Sequence, residues 1–220
     1  MIISAQTSRD KWLEKVYKKA MAELDEFFEL NWQQNQPKVF IVKNRKEIDK
    51  IWNQKTPKWL VGWGGRQSGV YILDRKNFKK ESDNTYTKER YSALLKHELA
   101  HCFTDILTDG YRKPVWLNEG ISIYLSGQLK QYEQPKKYKH FLKSFDKQKE
   151  GVYAEAGWVV KTLVEKHGKK KLFDLLKQIK TTKPNKKEFN KIFKEIYGVK
   201  TSITQPTSRH SLRKTGKISP

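Results

Sequence analysis

His97 and His101 stand four positions apart with Glu98 beside the first, in the run His97-Glu98-Leu99-Ala100-His101. On an α-helix, positions i and i+4 are about 40° apart around the axis and about 6 Å apart along it. Two imidazoles so placed can grip one zinc ion at about 2.0–2.1 Å. Glu98, about 100° round the helix from His97, would flank the ion instead of joining the pair, which is where a base acting on a metal-activated water should stand. The surroundings favour this reading over two ordinary surface histidines. Residues 87–106 read as one helix, and Tyr91, Leu94, Leu95, Leu99, Cys102, Phe103 and Ile106 wrap most of its surface. A helix that is apolar nearly all round is buried, and buried imidazoles and carboxylates need partners.

A catalytic zinc site needs three protein ligands and one open position. The run Trp116-Leu117-Asn118-Glu119-Gly120-Ile121-Ser122 offers the third. Asp109-Gly110 turns the chain, Pro114 suits a helix's first turn, and an apolar helix runs on through Tyr124 and Leu125. Glu119 lies in its middle with apolar residues on every side, leaving little polar face for it to occupy.

These residues carry a resemblance. The sequence H-E-x-x-H followed by N-E-G, with Glu119 eighteen positions after His101, resembles the gluzincin zinc metallopeptidases. Trp-Leu-Asn-Glu-Gly looks like their aminopeptidase branch, and the small size is similar to the compact peptidase-MA-like group and the minigluzincins. The resemblance spans roughly residues 39–198. It implies that Glu119 is the third zinc ligand, that Glu98 is the general base, and that Asn118 supports the site from behind the ligands. Thermolysin-like members carry an aspartate four residues after the ligand glutamate, to orient a zinc histidine; here that position is Ile123. The partner of the second His97 ring nitrogen is therefore open, with Asp105 as one candidate. In the family a tyrosine opens a later helix about fifteen residues before a terminal glycine and stabilises the oxyanion. Tyr153, fifteen residues before Gly168, is the position that matches. The strand before the zinc helix is the family's edge strand, on which an extended peptide lies, so Val70, Tyr71 and Ile72 are candidate substrate contacts.

Those residues must be positioned by the elements around them. Residues 8–30 read as an amphipathic helix on the spacing of Trp12, Leu13, Val16, Tyr17, Ala20, Leu24, Phe27 and Phe28. Strands are expected at 38–42, 59–63 and 69–73, the last two joined by a turn at Gly64-Gly65-Arg66-Gln67-Ser68, with a short helix at 47–52. Helical spacing recurs at 138–145, 153–167, 170–179 and 187–197, with Gly168 and Gly198 as C-terminal caps. The expected fold is α+β and zincin-like: a small mixed β-sheet or hairpin region packed on a zinc helix, followed by a mainly helical part. Its units are an N-terminal helix at 1–36, a peptidase-like domain at 37–199 (an α/β part at 37–108 and a helical part at 109–199), and a basic disordered tail at 200–220.

Composition bounds the rest. The chain has 220 residues, one cysteine and a formal net charge of +22. One cysteine forms no internal disulfide, and Cys102, beside His101, reads as a buried structural thiol. No run of eighteen apolar residues argues for a membrane span, and residues 1–9 lack the apolar core of a secretory signal, so the expected compartment is the cytoplasm. The positive charge predicts non-specific polyanion affinity. Only 8 of the 46 basic residues are Arg, however, and no specific nucleic-acid recognition motif accompanies them. His140, His167 and His210 lack ligand spacing. The expected function is zinc-dependent hydrolysis of peptide bonds in a peptide or protein substrate, with one Zn²⁺ as cofactor. An endopeptidase is favoured, because no glutamate motif for holding a substrate's free amine precedes the zinc helix. The alternatives are a catalytically silent, gluzincin-like module that binds peptides, and a polyanion-binding protein in which zinc is structural.

Overall fold

The computed structural model describes residues 10–66, 69–138, 140–147 and 151–200. Among them are eight α-helices and one three-stranded sheet, a mostly helical α+β fold. The expected tail at 200–220 falls almost wholly outside the described residues, as do Met1–Arg9 and His210.

Helix α1 (Lys11–Phe28) starts where Asp10 accepts a hydrogen bond from Leu13 N, and it turns Ala20, Met21, Leu24 and Phe28 inward against the long central helix α4 (Lys88–Thr108). Strand β1 (Val39–Val42) leads to α2 (Arg45–Trp52), capped by Asn44. Strands β2 (Gly62–Gly65) and β3 (Gly69–Leu73) complete the sheet, and the short α3 (Phe78–Glu81) precedes α4. Thr87 caps α4 through its side chain, and Asp109, in the left-handed region at φ 53°, ends it. Beyond it come α5 (Val115–Ser126), α6 (Val152–His167), α7 (Lys169–Thr182) and α8 (Lys186–Tyr197). Gly168 and Gly198 end α6 and α8 as their spacing predicts. Asn185 and Glu188 close a reciprocal capping box on α8, the arrangement that satisfies two otherwise unpaired backbone donors.

Three expectations about local structure change. The strand expected at 59–63 lies at Gly62–Gly65 instead. The Arg45 guanidinium takes the carbonyls of Lys58 and Leu60, so this stretch spends backbone acceptors on a side chain, while the glycine run pairs with β3. The helix expected at 138–145 is only a 3₁₀ turn, Phe141–Lys143. The buried Glu155 carboxylate accepts from the His140 and Phe141 amides, and the carbonyls of Ser144 and Phe145 cap the first amides of α5. Those bonds tie the segment to α6 and α5.

The third change concerns the sheet. Its order is β1-β3-β2, with β1 parallel and β2 antiparallel to β3. Strand β3 is therefore central, not an edge. Alternate residues of a strand face opposite sides. Val70 and Ile72 are fully buried, on the side where Gly62 and Gly64 meet α4. Tyr71 points the other way and stacks between Phe40 (4.7 Å, 18°) and Trp63 (5.1 Å, 1°). The rings face one another across three strands, so the row is a cross-strand ladder that holds the sheet together.

Candidate metal centre

Helix α4 carries His97, Glu98 and His101, and all three residues are buried. Helix α5 packs against α4 and brings Glu119 to the two imidazoles. The His97 and His101 Nε2 atoms lie 3.1 Å apart, and Glu119 Oε2 lies 3.4 Å from the first and 3.7 Å from the second. Donors around a tetrahedral ion at about 2.0–2.1 Å are separated by about 3.3–3.4 Å, and the observed distances bracket that value. A single proton between the two rings would satisfy their mutual contact, but Glu119 Oε2, buried, makes no hydrogen bond. Three converging donors, one of them an unpartnered carboxylate oxygen, fit a cation. The group can hold a metal ion, and among the described residues no fourth His, Cys, Asp or Glu joins it.

Burial and close charges shift the protein groups of the site. Burial pushes the Glu119 carboxyl up, but the His101 and His97 rings outweigh it and hold the pKa down at about 2. Burial takes His101 down to about 4 against the opposing charge of Glu119. His97 is opposed by the same burial, yet the adjacent Glu119 and the charge of Glu98 raise it above the usual histidine value. Burial raises Glu98 to about 7, the range in which a carboxylate can both take and return a proton.

Ring orientation comes from beyond the ligands. Ser122 Oγ, fully buried on α5, lies 3.1 Å from His101 Nδ1. Sequence reasoning assigned it no role, although Ser122 is three residues after Glu119 and such residues share a helix face. His97 Nδ1 makes no hydrogen bond, though the Gln128 amide lies near enough to the ring to favour its charged form. Asp105 does not reach His97. It accepts two hydrogen bonds from Arg112 (2.9 and 2.8 Å) and one from the Arg66 amide, while Arg112 also donates to the Gly64 carbonyl at 2.6 Å. That clamp ties the end of β2 to α4. Asn118 is buried but turned away from the ligands. It lines a cavity of about 10 Å³ with Thr104 and Thr108, and its Nδ2 has no partner.

His97 and Glu98 open onto a cleft of about 400 Å³. Tyr153, in the first turn of α6, lines it. Burial and the nearby Glu119 and Glu98 carboxylates push its phenol pKa upward, so the hydroxyl keeps its proton. Tyr132 and Gln128, from the segment after α5, share the wall, as do Val61 and Gly62 at the start of β2. Of Val70, Tyr71 and Ile72, none lines the cleft. Both sides of β3 are already paired, so the edge nearest the site belongs to β2, where a Cβ on Gly62 would stand 3.0 Å from Glu98 Oε1. Cys102 is buried, its thiol against the Glu98 carbonyl, and burial raises its pKa to about 12. His167 packs edge-on against Tyr197, and His140 is exposed.

Comparison of the chain with protein-family models, with curated proteins and with solved structures finds no match.

Proposed function

We propose that this chain is a zinc-dependent metallopeptidase of the gluzincin type, with a zincin-like arrangement of sheet edge, metal helix and ligand helix, and that it acts as an endopeptidase. The observation that carries the proposal is the convergence of His97, His101 and Glu119 beside a cleft that also holds Glu98 and Tyr153. Two nitrogens and one carboxylate oxygen are a donor set suited to zinc. When bound, zinc would acidify water and polarise a carbonyl. The chain's own groups do the rest. With Nε2 of His101 committed to the ion, its Nδ1 carries the proton and donates to Ser122 Oγ, which fixes the ring. Glu98 takes the attacking water's proton and returns it to the leaving amine nitrogen. The Tyr153 hydroxyl donates to the oxyanion that develops on the former carbonyl, a contact of a kind that contributes about 2.7–4 kcal/mol per donor. Among the described residues lining the cleft, Glu98 is the only carboxylate, with no second one there to hold a substrate's free amine, which favours cleavage within a chain.

Glu98→Gln tests the assignment. It keeps the three metal-binding side chains and removes the base. Metal analysis should find zinc retained, and a denatured-protein or peptide assay should show turnover lower by about 10²–10⁴-fold. Hydrolysis at the unmodified rate would remove Glu98 from the role.

A further inference from the structure

We infer that the cleft selects substrates bearing a carboxylate about three residues from the cleaved bond, through Arg90; this deepens the peptidase reading and rests on it. Among the described residues lining the cleft, Arg90 is the only lysine or arginine. It is exposed, and its guanidinium makes no hydrogen bond or ion pair among the described residues. Its five donors match a carboxylate in a two-point fork. Arg90 and His97 lie seven positions apart on α4, hence on nearly the same face and about 10.5 Å apart along the axis. Leu94 lies between them and lines the same wall. An extended peptide advances about 3.3 Å per residue, so a peptide whose cleaved bond sits at the metal centre reaches Arg90 with its third residue. The carboxylate can be a side chain, aspartate or glutamate, or the substrate's own C-terminus. The +22 net charge of the chain acts in the same direction at long range by drawing acidic chains toward the cleft.

Binding separates this inference from hydrolysis. Amidated eight-residue peptides carrying one glutamate, glutamine or lysine, together with a glutamine version ending in a free carboxylate, are titrated by fluorescence anisotropy into the zinc-loaded Glu98→Gln chain. The same series is run with Arg90→Gln and Arg90→Lys added. A carboxylate-bearing peptide should bind about tenfold more tightly than its glutamine counterpart. Arg90→Gln should level the difference and Arg90→Lys should restore part of it. A gain confined to the free-carboxylate peptide identifies the chain terminus as the group recognised, and a gain for the amidated glutamate peptide identifies a side chain. Equal affinities across the series, no binding at all, or an acidic preference that survives Arg90→Gln overturns the inference. Arg90-dependent selection in a chain that cleaves nothing would remove the peptidase reading and leave this one standing; cleavage indifferent to Arg90 would do the reverse.

Discussion

Under the proposed zinc reading, Ser122 is the residue that fixes the His101 ring. A histidine bound to a metal through one nitrogen nearly always donates through the other, and loss of that partner costs about 10–100-fold in metal affinity. Ser122→Ala should therefore lower zinc affinity by that factor in a chelator competition, with the circular dichroism spectrum unchanged. An unchanged affinity would mean that packing alone sets the ring. The three residues of the candidate metal centre were legible in the sequence. His97 and His101 share a helix face by their spacing, and Glu119 sits in a run too apolar to give it a polar surface. Ser122 was legible only through its i+3 relation to Glu119, a relation that acquires meaning once α5 is known to face α4. Asn118, adjacent to the ligand in sequence, lies about 100° round the helix from it and faces the small cavity beside Thr104 instead.

At the level of elements, the site depends on how closely α5 and α6 approach. A Cβ on Gly120 would lie 2.6 Å from the Ala156 carbonyl oxygen, and one on Gly157 would lie 2.5 Å from Ile123 Cγ2. Neither glycine has a positive φ, so each serves proximity and not backbone conformation. Gly120 stands next to Glu119, and Tyr153 opens the helix that packs there. Gly120→Ala should push the helices apart against a backbone atom that cannot swing aside. The expected cost is about 1–3 kcal/mol of stability, read by urea denaturation, with turnover lost as α6 carries Tyr153 away and zinc lost to the extent that α5 carries Glu119 with it. Equal losses of zinc and turnover would place the damage in the ligand set. The sheet follows a similar rule. Gly62 and Gly64 let β2 lie against Glu98 and the backbone of α4, and the Asp105–Arg112 clamp holds its end there. Glycine disfavours strands in general, and the sequence places a turn from Gly64 onward. Close approach to a helix is the circumstance that reverses that preference.

For the molecule as a whole, the candidate metal centre spans α4 and α5 within one continuous core, so an ion held there would link the two helices in the folded state only. A ligand that binds the native state at a hundred times its Kd adds about 2.7 kcal/mol. For a chain of this size that corresponds to a rise in Tm of about 5–10 °C. Zinc should produce such a shift in a thermal melt, a chelator should reverse it, and Glu119→Ala should abolish most of it. A Tm indifferent to zinc would argue against joint ligation by the two helices. No helix among the described residues is long and apolar enough to cross a membrane.

The sequence alone marked the three residues that converge in the candidate site, the helices that carry them and their approximate ends, because helical periodicity, caps and the spacing of side chains on one helix are local properties of the chain. It could not determine which strand lies in the middle of the sheet, which side chain steadies each imidazole, or where Arg90 and Tyr132 stand relative to the metal centre. Those facts depend on contacts between residues far apart in the chain. Such contacts are decided by how glycine-lined faces and buried carboxylates are matched when the helices and strands pack together.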